Sequence, residues 1–361
     1  SSQIFGLRVI KDGKVGTAYS EAADSDALSS LVEQALTNAS FTAIEVHEKI
    51  LSNEVTLKTD DLVLCPAEEV SIDEKVNFAL KMESDLAAKD KVKNVPYNGV
   101  QDNTTQRHIF SSAGLNAYSK SRMCAAYAYA LIEQGDKNAM EGIGQAARLF
   151  AALDANDIVE KAYTHTLNIL DGSPVPSGHY DVIFDEEVQA SLFGVFTLMF
   201  SGKSAKDGVN PMREKLGDSI ADSRLNITDQ PLITEGFGYQ LFDAEGTATQ
   251  STPLIVNGTL NTLIHNSATA SFFDMQTTGH AARGPKSTMG VRLHQLEIAA
   301  GRDSQTDLFS GKYLMLTDLT GMHSGANAIS GDFSFGASGF LYEDGQLRQP
   351  VRGVTVAANF Y

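Results

Sequence analysis

Hydrophobic residues alternate with polar ones from residue 5 to 18, on both sides of Asp12-Gly13. Period-two alternation around Asp-Gly predicts a β-hairpin. The period then lengthens. Leu28, Leu31, Val32, Ala35 and Leu36 fall on one face of a helix that Asp24 or Ser25 would cap. Ser71-Ile-Asp-Glu74 has the form of a capping box, and Ile72, Val76, Ala79 and Leu86 continue it as an apolar stripe. Asn94-Val-Pro-Tyr-Asn-Gly99 reads as a turn. Residues 108–112 and 123–132 read as strands around Gly114. Residues 145–170 carry a helical pattern with a break near 154–157. Hairpins alternating with helices predict an N-terminal α/β domain over residues 1–172, with a largely antiparallel sheet and flanking helices.

Leu170-Asp-Gly-Ser-Pro-Val-Pro-Ser-Gly178 is dense in turn formers and reads as a domain boundary. A strand over 179–184 and an apolar helix over 187–200 follow. After them, turn signals come at hairpin spacing: Phe242-Asp-Ala-Glu-Gly246, Leu254-Ile-Val-Asn-Gly-Thr-Leu260 and Phe340-Leu-Tyr-Glu-Asp-Gly-Gln-Leu347. Residues 178–361 are therefore expected to form a β-rich antiparallel domain with an embedded helix. The fold class is α+β.

Composition narrows the function classes. The chain has 361 residues, 42% hydrophobic and 20% charged, as expected of a globular protein with a sizeable core. No apolar run reaches membrane-spanning length, so no membrane association is expected. The N-terminal stretch from Ser1 to Ile10 reads as a strand and lacks the layout of a signal peptide. Cys65 and Cys124 are too few for a disulfide framework and suit a reducing cytoplasm. The formal net charge is −17, and the densest basic stretch, Lys89-Asp-Lys-Val-Lys93, contains its own acid. Nucleic-acid binding draws its affinity from phosphate neutralisation, so this balance argues against it.

Chemistry is sparse. A zinc peptidase helix needs two histidines facing one ion and a glutamate to activate water. None of the eight histidines forms such a pair. His323, Ser324, Ser330, Asp332, Ser334 and Ser338 include the residue types of a serine hydrolase, but without a nucleophile elbow they read as turn residues that satisfy backbone groups. Gly202-Lys-Ser204 lacks the upstream glycine of a phosphate loop. Thr277-Thr-Gly-His-Ala-Ala-Arg-Gly-Pro-Lys286 is a polar loop whose His280, Arg283 and Lys286 are candidate peptide contacts, the two cations suiting a peptide carboxylate.

The stretch from Gly321 to Gly345 carries six glycines among alternating small, polar and aromatic residues, followed by Gln349-Pro-Val-Arg-Gly-Val-Thr-Val-Ala-Ala-Asn-Phe360. Together these resemble the C-terminal signature of the TldD/PmbA family, and more closely its PmbA branch, also called TldE and formerly described as a modulator of DNA gyrase. Gly331, Asp332, Phe333, Ser334, Gly336 and Gly339 carry the most specific part of the resemblance. It is weak over the first 95 residues, clear from Tyr97 and specific from Gly178 to Phe360. In the TldD branch the helix after the domain boundary resembles His-Glu-x-x-x-His. The matching positions here are Phe193, Gly194 and Leu198, which offer neither ligand nor base. That branch also uses a C-terminal cysteine ligand, and no cysteine follows Cys124 here. The resemblance thus implies a subunit with no catalytic residue and no cofactor of its own. Zinc would sit only in a TldD-like partner, in a cytoplasmic heterodimer that cleaves unfolded peptides during maturation or turnover. A homodimer is open to the chain alone. In the family the resembling region continues beyond the position of Tyr361, which implies a truncated C-terminus. A stand-alone binding or scaffold protein, or a hydrolase with an unrecognised site, stays open on the residues alone.

Overall fold

The computed structural model describes residues 2–52 and 54–361; Ser1, which opens the stretch read as the first strand, lies outside them. β1 (Phe5–Lys11) and β2 (Lys14–Ser20) form the expected hairpin, with Asp12 and Gly13 at φ 53° and 74°. Two successive positive φ angles are what a tight right-twisted hairpin requires. α1 (Ser25–Phe41) starts at Asp24, whose side chain accepts a hydrogen bond from the Ala27 backbone. Its Leu31 and Ala35 pack on Ala18, Phe5, Leu7 and Val9 of the hairpin. β3 (Thr56–Lys58) and the single turn α2 (Asp61–Leu64) lead to α3 (Ile72–Ala87). The Ser71–Glu74 capping box forms as expected, but the stripe behind it divides. Met82 and Leu86 are buried, whereas Ile72 and Val76 face solvent.

β4 (Val92–Phe110), β5 (Asn116–Gln134) and β6 (Lys137–Ala147) are longer than the sequence pattern indicates. The turn expected over Asn94–Gly99 is instead part of β4. Sheet order β3-β5-β4, with β6 pairing β5, leaves β4 at an edge. An edge strand tolerates a proline such as Pro96, and a Cβ on Gly99 would stand 2.9 Å from the Tyr127 hydroxyl. Residues 145–147, expected to be helical, close β6. α4 (Ala155–Leu170) begins only after Asp154, which caps it through the backbone N–H groups of Asn156 and Asp157. The break expected near 154–157 is thus the helix start.

β7 (Asp181–Phe184) forms within the strand expected over 179–184, and α5 (Glu186–Phe196) with a 3₁₀ turn (Thr197–Phe200) replaces the single helix expected to run to 200. Then come α6 (Gly202–Lys206), β8 (Ile227–Asp229), β9 (Thr252–Val256), β10 (Thr259–Leu260), α7 (Ser267–Phe272), β11 (Ala281–Ala282), β12 (Gly290–Val291), β13 (Leu296–Ile298), α8 (Gln305–Leu308), β14 (Lys312–Thr320), β15 (Asp332–Glu343) and β16 (Gln346–Asn359). The turn at Asn257-Gly258 joins β9 to β10, and Asp344-Gly345 joins β15 to β16, as the hairpin signals predict.

These elements gather into two compact units, each built from three chain segments. One comprises the chain up to Thr59, with His108–Tyr118 and Thr197–Gly301. It holds the antiparallel sheet β10-β9-β8-β13 and the two-stranded β11-β12. The other comprises Asp60–Arg107, Ser119–Phe196 and Arg302–Tyr361. One of its cores sets Met82 and Leu86 of α3 and Ile158, Ala162 and Ile169 of α4 against Cys124, Ala126, Ala128, Ala130 and Ile132 of β5. The alternating small residues of β5 leave room for two helices on one face. Its second core packs Val188, Leu192 and Phe196 of α5 on the sheet β16-β15-β14-β7, through Leu314, Leu316, Phe333, Phe335 and Val351. The mixture of helices with mainly antiparallel sheets is the expected α+β class.

Candidate functional site

The densest buried polar chemistry lies at the end of β8. Asp229 is fully buried, and both its oxygens are committed. Oδ1 accepts from the backbone N–H groups of His294 (2.8 Å) and Gln295 (3.0 Å). Oδ2 lies 2.9 Å from His280 Nε2 and 2.7 Å from His294 Nδ1. The two imidazole rings are 4.6 Å apart, and His280 Nδ1 lies 2.8 Å from both the carbonyl and the hydroxyl of Thr278. Burial alone would raise the Asp229 carboxyl, but the hydrogen bonds from His280 and His294 outweigh it and hold it at about 2.

The surrounding acids are anchored in the same way. Asp243 accepts from the backbone of Glu245, Thr247 and Ala281, each at 2.9 Å. Glu245 accepts from the backbone and hydroxyl of Ser267 at the start of α7. Burial pushes both carboxyls up, against these hydrogen bonds. His265 is also buried, which lowers it to about 4; the charge of His280 adds to the effect. Gly202 backs its ring, where a Cβ would stand 2.3 Å from Nδ1.

Among the described residues, Asp229, His280 and His294 are the one group of three side chains whose ligand atoms converge as a metal site requires. The distances separate a metal centre from a hydrogen-bonded anchor. Zinc ligands about 2.0–2.1 Å from a tetrahedral ion stand roughly 3.3 Å from one another. The observed 2.7 and 2.9 Å are N–H···O separations instead. The carboxylate already accepts from four donors. The arrangement ties β8 to the 278–282 and 292–296 segments.

The positions where the family resemblance places a metal do not fit one. Phe193 and Gly194 lie on α5 and Leu198 in the following 3₁₀ turn. Phe193 meets Phe360 edge-on at 5.3 Å, and Phe196 stacks on Phe360 at 4.4 Å. Gly194 is exposed and would have nothing within 4 Å of a Cβ. These three side chains carry no donor atom for zinc and no carboxylate to activate water.

The loop candidates separate. His280 faces inward, spent on Asp229 and Thr278, so the structure removes it from the peptide-facing set. Lys286 is exposed on the loop, whereas Arg283 is half-buried with part of its guanidinium inside. Arg283 donates to the Ser287 carbonyl at 3.3 Å, and the Lys286 ammonium lies 3.3 Å from Glu21 and 4.6 Å from the centre of the Tyr19 ring. In the glycine-rich signature Phe333 and Phe335 point into the core, while Asp332 and Ser334 face out. Asp332 accepts from Ser330 and Asn359, a turn-closing role. Gly331 is at φ 84°, and Gly336 and Gly339 lie where a Cβ would meet Thr320 Oγ1 at 2.4 Å and the Met315 carbonyl at 2.0 Å. Sequence reading missed Asp229 and His294, which stand 65 positions apart and belong to no local motif.

Residues 177–361 match the family model described as the PmbA/TldA metallopeptidase C-terminal domain, residues 65–170 its central domain and residues 1–39 its domain 1. The chain is 27% identical over 367 residues to metalloprotease PmbA of Escherichia coli O157:H7, an alignment covering 99% of this chain and 78% of that protein. It is 25% identical over 364 residues to a PmbA homologue of Haemophilus influenzae, covering 98% and 77%. A Thermotoga maritima crystal structure described as a candidate modulator of a DNA gyrase superposes with a TM-score of 0.85 at 26% identity, covering 98% of this chain and 81% of that one. TldE from Thermococcus kodakarensis shares the fold, with a TM-score of 0.83 at 23% identity over 98% and 80% of the two chains.

Proposed function

Since the chain belongs to the PmbA/TldD metallopeptidase family, we propose that it is the subunit of a two-part peptidase that does not supply the catalytic metal. The observation that carries this reading is the replacement of metal chemistry by Phe193, Gly194 and Leu198, backed by the Phe193–Phe360 and Phe196–Phe360 contacts. A peptidase that holds zinc needs imidazole or thiolate donors and a base. The other converging donors, around Asp229, are spent on hydrogen bonds. Zinc then belongs to a TldD-like partner. The chain works as a heterodimer with it on unfolded peptides, in peptide maturation or proteolysis in the cytoplasm, with a homodimer open to it when alone. No helix among the described residues is long and apolar enough to cross a membrane. The net charge of −17 favours a peptide over a nucleic acid as the substrate. Arg283 and Lys286 are the loop cations offered to a peptide carboxylate.

The test is a peptidase assay on an unstructured peptide with the chain alone, a TldD-like subunit alone, and the two mixed. Activity is expected in the mixture, at least tenfold above the sum of the separate proteins. Equal cleavage by the lone chain would overturn the reading.

A further inference from the structure

A small cavity in the second unit is lined on one side by Glu141 of β6 and by His165 and Asn168 of α4, and on the other by Asp318, Ser338 and Phe340 of β14 and β15. Its volume is about 90 Å³, several times what one water requires. Asp318 and Ser338 are directly opposed across the β14–β15 pair, beside a register shift that follows Leu316. Ser338 is 8% exposed, and its hydroxyl makes no hydrogen bond among the described residues. The same holds for the Glu141 carboxylate, while Asp318 accepts only from the Leu319 backbone. Two half-buried carboxylates and the hydroxyl of a largely buried serine therefore face one space, and the Leu319 backbone is the one protein donor to them among the described residues. Such a set costs free energy unless a cation or proton fills it. Burial, then the neighbouring Asp318 charge, pushes Glu141 up to about 7; burial, then Asp185, raises Asp318. Arg352 opposes this at Glu141, but its own Nη1 donates to the Asn138 carbonyl at 2.7 Å.

The kind of cation follows from spacing. Glu141, Asp318 and His165 do not form a group whose ligand atoms converge on one point as Asp229, His280 and His294 do. A single metal ion would leave part of the set unmet. A primary ammonium on a short alkyl stem has three diverging N–H donors and an apolar tail. The donors suit two carboxylates and a hydroxyl, and the tail suits Phe340. We propose that this cavity binds a primary ammonium group, held by Glu141, Asp318 and Ser338. The proposal is independent of the peptidase reading.

The test titrates the full chain with ethylammonium at pH 8, followed by calorimetry and amide chemical shifts. One saturable site is expected, with amide shifts in β6, α4, β14 and β15. Affinity should fall at least tenfold in Glu141→Gln and in Asp318→Asn, and should fall in the wild type between pH 8 and pH 6 as Glu141 takes up a proton. Each variant removes a poorly solvated charge, so both should remain folded. Neutral n-propanol should not bind. A free-amino tripeptide amide and its N-acetylated form separate the sources. Binding of the free form alone extends the site to peptide amino termini, and binding of ethylammonium alone assigns it to small amines; both outcomes uphold an ammonium site. Absence of saturable binding, equal binding of n-propanol, or unchanged affinity in both variants would overturn it.

Discussion

Asp229→Asn is expected to destabilise the first unit by about 3–5 kcal/mol, the range for removing one member of a buried, hydrogen-bonded charged set. The wild-type carboxylate accepts from two imidazoles and two backbone N–H groups. The asparagine amide would turn N–H donors toward at least one of these donors and leave it unpaired. The change should appear as faster hydrogen exchange in β8 and across residues 278–296, and as earlier thermal unfolding. Asp332→Asn, on an exposed turn, should cost under about 1 kcal/mol. The pH dependence has a definite sign. Because the folded Asp229 is depressed to about 2, below the unfolded value of about 3.9, its contribution is present at neutral pH. It is lost as the pH falls from about 4 toward 2. The variant should lack that part of the acid limb. Similar exchange protection and acid limb in both proteins would mean that Asp229 anchors nothing.

Gly339→Ala should cost about 3 kcal/mol or more, because the added methyl would stand 2.0 Å from the Met315 carbonyl and 2.9 Å from Leu316 Cα. Both obstacles are backbone, so relief requires β14 and β15 to separate at the sheet that carries the α5 core. Gly194→Ala is the matching control. Its methyl meets nothing within 4 Å on an exposed turn of α5, and alanine favours a helix over glycine by about 0.8–1 kcal/mol. The two variants should therefore shift the unfolding midpoint in opposite directions. A harmless Gly339→Ala would show that this glycine is not fixed by strand approach.

The contrast between these glycines reflects what a sequence can display. Gly331, Gly336 and Gly339 fall in one contiguous run, so their density announces close backbone approach before the strands are placed. Hairpin turns at Asp12-Gly13, Asn257-Gly258 and Asp344-Gly345 are equally local, and all three form. The absence of zinc ligands at Phe193, Gly194 and Leu198 is legible for the same reason. Asp229 is not, because its histidines lie 51 and 65 positions away, brought together only by the pairing of β8 with β13 and the return of the 278–282 segment. Asn94–Gly99 misleads in the other direction. Proline and glycine usually punctuate, but an edge strand leaves N–H groups unused and Tyr127 fills the space beside Gly99. Ile72 and Val76 continue the helical period without being buried, because periodicity defines a face and not what covers it.

The central claim is that this polypeptide holds no peptidase metal, and the zinc content of the isolated chain tests it most directly. After dialysis against a weak chelator the account predicts far less than one zinc per chain, with no peptide cleavage restored by added zinc. One tightly held zinc per chain, lost together with peptidase activity in His294→Ala, would contradict it.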